Sequence, residues 1–118
     1  MTSSSPYTIE RRDDGAVVRF GEIVSHPRTT THEKELEELV GKFEVVVCDL
    51  LHTKAIGSPW IKWLSHVTRK ARRAGAVFAL VGVSEDIRKN ADLIGTLDSL
   101  DIRVGDVEMV LRGSEGAP

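Results

Sequence analysis

At 118 residues the chain is sized for one domain that buries a core without disulfides or metal staples. Its 29 % charged and 41 % hydrophobic residues are ordinary for a globular protein, and a formal net charge of −2 gives no overall pull toward nucleic acid or anionic lipid. A lone cysteine, Cys48, excludes an internal disulfide and fits a reducing compartment. The Ser-rich start lacks signal-peptide order, and no apolar run nears the roughly 20 residues of a membrane span. The expectation is a cytoplasmic protein with no membrane insertion and no nucleic-acid partner.

Residues 1–6 and 113–118 are small, polar or breaker residues, expected as flexible termini around one domain at 7–112. Tyr7 to Arg12 and Ala16 to Phe20 read as strands, and Asp13-Asp14-Gly15 between them is a hairpin turn signal. Gly21 to Arg28 reads as a connection in which Pro27 blocks regular pairing. Thr30 and Glu33 have capping-box spacing, Leu36, Val40 and Phe43 form the apolar face of a first helix, and Gly41 marks its C-terminal end. Val45-Val46-Val47-Cys48 is apolar without alternation, the pattern of a strand covered on both faces. After a loop from Leu50 to Gly57, Ser58-Pro59 reads as an N-cap followed by proline at the first helical position. Ile61, Leu64, Val67, Thr68 and Ala71 then form the buried stripe of a second helix, which ends at Gly75 after a basic last turn.

Ala76 to Val83 is another apolar strand, and Ser84-Glu85-Asp86 caps a third helix whose inner stripe is Ile87, Ala91, Ile94 and Leu97. Ile102 to Val104 is a last short strand, and Asp106 to Leu111 a final helical turn or two packed through Val107, Val110 and Leu111. The order is β-β-α-β-α-β-α-β-α: an α/β fold with a mixed sheet of about five strands flanked by four helices.

Several candidate chemistries fail on spacing. His26, His32, His52 and His66 are scattered, no two at metal-ligand spacing on one predicted helix, so no metal and no cofactor is expected. Ser58, His52 and Asp49 suggest a hydrolase triad only weakly, because the Gly-x-Ser-x-Gly elbow is absent; no catalytic residue is assigned. The basic cluster Arg69, Lys70, Arg72 and Arg73 reads as a solvated helix end.

The run from Val45 through Asp49-Leu50, a loop, then Ile56-Gly57-Ser58 opening a helix, resembles the core segment of STAS domains, the fold of bacterial anti-sigma-factor antagonists. Gly21-Glu22, Arg73-Ala74-Gly75, Leu80-Val81-Gly82-Val83-Ser84 and Ile87-Arg88-Lys89 extend the resemblance over Tyr7 to Leu111. It implies a non-enzymatic regulatory protein that docks on an anti-sigma factor or a serine-kinase-like switch protein, with Ser58 at the position the family phosphorylates. Thr53 and Ser65 are secondary acceptors. The family's Asp-Ser-Ser-Gly motif is divergent: Gly57, Pro59 and Trp60 stand where it has aspartate, the second serine and glycine.

Ile56, Gly57, Ser58, Trp60 and Trp63 are the expected partner-binding residues, with Trp60 the more exposed of the two tryptophans. A second reading is a STAS scaffold that is never phosphorylated: an accessory subunit, or a homo-oligomer joined through a Trp60/Trp63 face.

Overall fold

The computed structural model describes residues 6–25 and 30–113. Strand β1 (Tyr7–Arg12) turns through Asp13-Asp14 into β2 (Gly15–Phe20), antiparallel to it with Tyr7 opposite Phe20. A two-residue strand β3 (Ile23–Val24) precedes helix α1 (Thr30–Lys42), and β4 (Val45–Asp49) follows. Then come a second two-residue strand, β5 (Ala55–Ile56), helix α2 (Ser58–Arg73), β6 (Val77–Val81) and α3 (Glu85–Leu93). A 3-10 turn (Leu97–Ser99) and the short α4 (Val107–Leu111) complete the chain.

The main sheet has the order β1-β2-β4-β6, with β4 parallel to both neighbours. Val46, paired with Ala16 and Phe78, and Cys48, paired with Val18 and Leu80, point to the face covered by α1, α2 and α3. Val47 points the other way, into a smaller cluster with Val17, Ala79 and Val81 that α4 covers through Val107, Val110 and Leu111. Four helices thus flank a mixed sheet, as the alternation of strand and helix requires.

Two helix starts follow their sequence signals. Ser84 Oγ accepts the Ile87 amide at 3.2 Å, and Asp106 Oδ1 accepts that of Met109 at 3.0 Å. The expected capping box at Thr30 involves a side chain outside the described residues, as does Pro27.

Four expectations are corrected. Pro6 is not frayed: it is buried, and its carbonyl accepts the Gly21 amide at 3.0 Å. Gly41 does not end α1, which runs on to Lys42. The connection after Phe20 contains β3, paired in parallel with β5 in a separate two-stranded sheet. The last strand, Ile102 to Val104, shrinks to one bridge between Leu80 and Ile102. Val104, 91 % exposed, has already left the sheet edge, and Arg103 turns back to chelate Asp101 through two 3.0 Å hydrogen bonds.

Gly82, at φ +70°, lets the chain leave β6 beside the turn after β4. A Cβ here would lie 2.7 Å from the backbone nitrogen and Cα of Leu51, whereas one on Gly75 (φ +76°) would meet nothing. Gly75→Ala should therefore cost only the left-handed backbone penalty of about 1 kcal/mol. Gly82→Ala should cost distinctly more, about 2 kcal/mol or above, because backbone must also shift; urea melts of the two variants check the ranking. Burial, and secondarily the charge of Asp49, pushes the Cys48 thiol well above its ordinary pKa. At mildly alkaline pH Cys48 should react with a thiol reagent only in denaturant, and prompt labelling of the native protein would contradict its placement.

Candidate functional site

The corner between β4 and α2 is built mainly by backbone hydrogen bonds. Leu50, buried, prolongs β4 by donating its amide to the Val81 carbonyl at 2.9 Å. Asp49 Oδ1 accepts the Leu51 amide at 3.0 Å, which closes the turn that follows. The Lys54 amide donates to the Glu22 carbonyl at 2.7 Å and the Gly57 amide to that of Val24 at 2.8 Å. Between those bonds β5 lies along β3, and Lys54 Nζ pairs with Glu22 at 2.9 Å. Thr53 is buried, its hydroxyl donating to the Gly21 carbonyl at 2.9 Å.

Gly57, extended at φ −69° and ψ 152°, is the N-cap of α2, and its carbonyl accepts the amides of Trp60 and Ile61 at 3.0 and 3.1 Å. Ser58 is therefore the first helical residue and not the cap expected from the sequence; no side chain caps this helix. Glycine is an acceptable cap, and Pro59 in the first turn needs no donor. Ser58 and Pro59 are both exposed.

Both tryptophans are buried, with 1 % of Trp60 and 7 % of Trp63 exposed, so Trp60, expected as the more exposed, is the deeper of the two, and the Trp60/Trp63 face of the second reading is not on the surface. Trp60 meets Tyr7 and Phe20 edge-on, at ring-centroid distances of 6.3 and 6.1 Å, and lies 5.5 Å from the His32 ring. Tyr7 in turn donates its hydroxyl to Glu35 Oε1 at 2.7 Å; burial first, then this carboxylate, raises the phenol well above its ordinary pKa. The indole ties the first turn of α2 to β1, β2 and α1.

Of the expected partner-binding residues only Ser58 presents an exposed side chain. Ile56 is 6 % exposed, and Gly57 is half-buried backbone. The secondary acceptors Thr53 and Ser65 are buried, to 3 % and 1 %. Ile56 and Gly57 do line an open groove of about 530 Å³ between the small sheet and α3, rimmed by Ile23 and Leu93, 59 % and 83 % exposed. The sequence reading missed this groove; the β-branched pair Ile23-Val24 is its one local signal.

Asp49, His52 and Ser58 form no triad. The Asp49 carboxylate is directed at Leu51 and at Arg19, 3.7 Å away, and lines a cavity of about 210 Å³ that neither His52 nor Ser58 reaches. Among the described residues no three His, Cys, Asp or Glu side chains gather as metal ligands, and no helix is long and apolar enough to cross a membrane.

The sequence model of the STAS domain matches residues 7–109. The chain belongs to the STAS domain family. No curated protein matches the sequence. Among solved structures, the STAS fold seen here is similar to the anti-sigma factor antagonist SpoIIAA in its unphosphorylated form, with a TM-score of 0.73 at 12 % identity over 91 % of this chain and 96 % of that one. The phosphorylated form of SpoIIAA, a Bacillus cell fate determinant, gives 0.64 at 11 % identity, over 91 % and 97 %. An anti-sigma factor antagonist from Mycobacterium paratuberculosis gives 0.71 at 18 % identity, over 92 % of each chain. At these identities the likeness is one of fold.

Trp60→Ala should cost about 3–5 kcal/mol, because the cavity would open among three elements. Ser58→Ala should stay within about 0.5 kcal/mol, since no cap bond is lost. Thermal or urea denaturation separates the two, and a large loss in the serine variant would restore the capping role.

Proposed function

We propose that this STAS domain is a non-enzymatic regulatory module of the anti-sigma-factor-antagonist kind, which docks on a protein partner through the corner at Ser58, the adjoining groove and the outer face of α2. The observation that carries the reading is selective exposure. Ser65 and Thr68 are buried at 1 %, so Ser58 is the one accessible hydroxyl of α2, and it stands on a corner held by hydrogen bonds to Glu22 and Val24.

A phosphoryl group on Ser58 would find few amide donors at the helix start. Pro59 has no N–H and the Trp60 N–H is already engaged by Gly57. The group would remain outward and add about two negative charges to the docking surface, acting on the partner and not on the fold. SpoIIAA, which this chain resembles in fold, occurs in an unphosphorylated and a phosphorylated form, and this supports phosphorylation as the switch. The rival reading, constitutive self-association through a tryptophan face, loses its surface with Trp60 and Trp63 buried.

Incubation with an anti-sigma-type serine kinase and ATP, followed by peptide mapping, tests the switch. The expected result is one phosphate on Ser58, absent from the Ser58→Ala variant, with an unchanged circular dichroism spectrum. Phosphate on Thr53 or Ser65 alone, or none with any such kinase, would remove the switch from the reading.

A further inference from the structure

The charge on α2 is one-sided. The helix carries Lys62, Arg69, Lys70, Arg72 and Arg73 and no aspartate or glutamate, in a chain whose net charge is −2. At 3.6 residues per turn, Ser58, Lys62, His66, Arg69 and Arg73 fall along one face, and all five are exposed. The face is about 24 Å long. On the flank, Lys70 Nζ lies 3.4 Å from Glu37 of the acidic helix α1; on the face itself Arg69 donates to the neutral Ser99 hydroxyl at 3.4 Å and keeps its charge. Lys62, Arg72 and Arg73 have no carboxylate partner among the described residues.

We infer that this face recognises an acidic protein surface, of the length of one helix carrying aspartate or glutamate along one side. The Lys70–Glu37 contact with α1 is an intramolecular instance of the same pairing. Nucleic acid fits less well, because both tryptophans of the helix are buried and leave no stacking platform, and α1 sets the carboxylate of Glu37 against the flank of the stripe. An anionic bilayer would need apolar side chains on the rim of the stripe, and those of α2 are in the core. A second copy meeting α2 with α2 would bring like charges face to face. Ser58 stands at the N-terminal end of the stripe, so a phosphate there would subtract from its charge. The inference rests on the docking role proposed above but not on phosphorylation.

The test uses the unphosphorylated full chain, labelled with nitrogen-15 and titrated with a synthetic amphipathic helix of about 20 residues bearing glutamate on one face. The expected shifts map to exposed positions between Ser58 and Arg73 and persist at physiological ionic strength. The triple variant Lys62→Glu, Arg69→Glu, Arg73→Glu, shown folded by circular dichroism, should bind at least about tenfold more weakly. A control with Arg11→Glu on β1 and Arg112→Glu after α4, both exposed and away from α2 and the groove, should bind as the parent does. Shifts centred off α2, or tighter binding to single-stranded DNA or to phosphatidylserine vesicles, would overturn the inference. So would an unaltered affinity of the triple variant. Failure of the kinase experiment would leave this result standing, and failure here would leave Ser58 an acceptor without an acidic partner.

Discussion

Burial of β4 on both faces is the constraint on which the other elements depend. Val46 and Cys48 need cover on one side of the sheet and Val47 on the other, and pairing with β2 and β6 satisfies the strand's backbone on both edges. The three longer helices supply the first cover. The five residues of α4 supply the second, which explains why so short a helix buries three of its side chains. The end of β4 is thereby fixed, and the corner that leads to Ser58 starts from an anchored point.

That corner is anchored to the core while its tip stays exposed. Its backbone is tied to residues 21–24 through Thr53, Lys54 and Gly57, and its first helical turn is plugged by Trp60 among Tyr7, Phe20 and His32. Ser58 and Pro59 are left outside. A hydroxyl held in this way can receive a charged group with little consequence for the core, because no core contact and no capping bond runs through it.

Helix α2 divides its work between two sides. The inner side carries Trp60, Ile61, Trp63, Leu64, Val67 and Ala71; the outer side carries cations. The basic last turn also complements the negative end of the helix dipole, so Lys70, Arg72 and Arg73 favour the helix as well as marking its surface. Lys62 lies too near the N-terminus to share in that effect, and its presence extends the positive face to Ser58.

Much of the architecture was legible in the sequence, because it is written in local periodicity. The order of the main elements, the two-sided strand at Val45 to Cys48, the inner stripe of α2 and the Ser84 cap follow from neighbours within a few positions along the chain. The strand–loop–helix junction that leads to Ser58 was legible too. What the sequence could not determine depends on residues far apart in the chain. Strands β3 and β5 have two residues each and exist only through one another, about 30 positions distant. The isolated bridge at Ile102 likewise depends on Leu80. Whether Trp60 faces solvent or core was decided by the meeting of Tyr7, Phe20 and His32 from three separate elements, and an aromatic at helical spacing reads the same either way. Only the tertiary structure, by closing a core around that indole, moved the exposed surface from the tryptophans to Ser58 and the cationic face behind it.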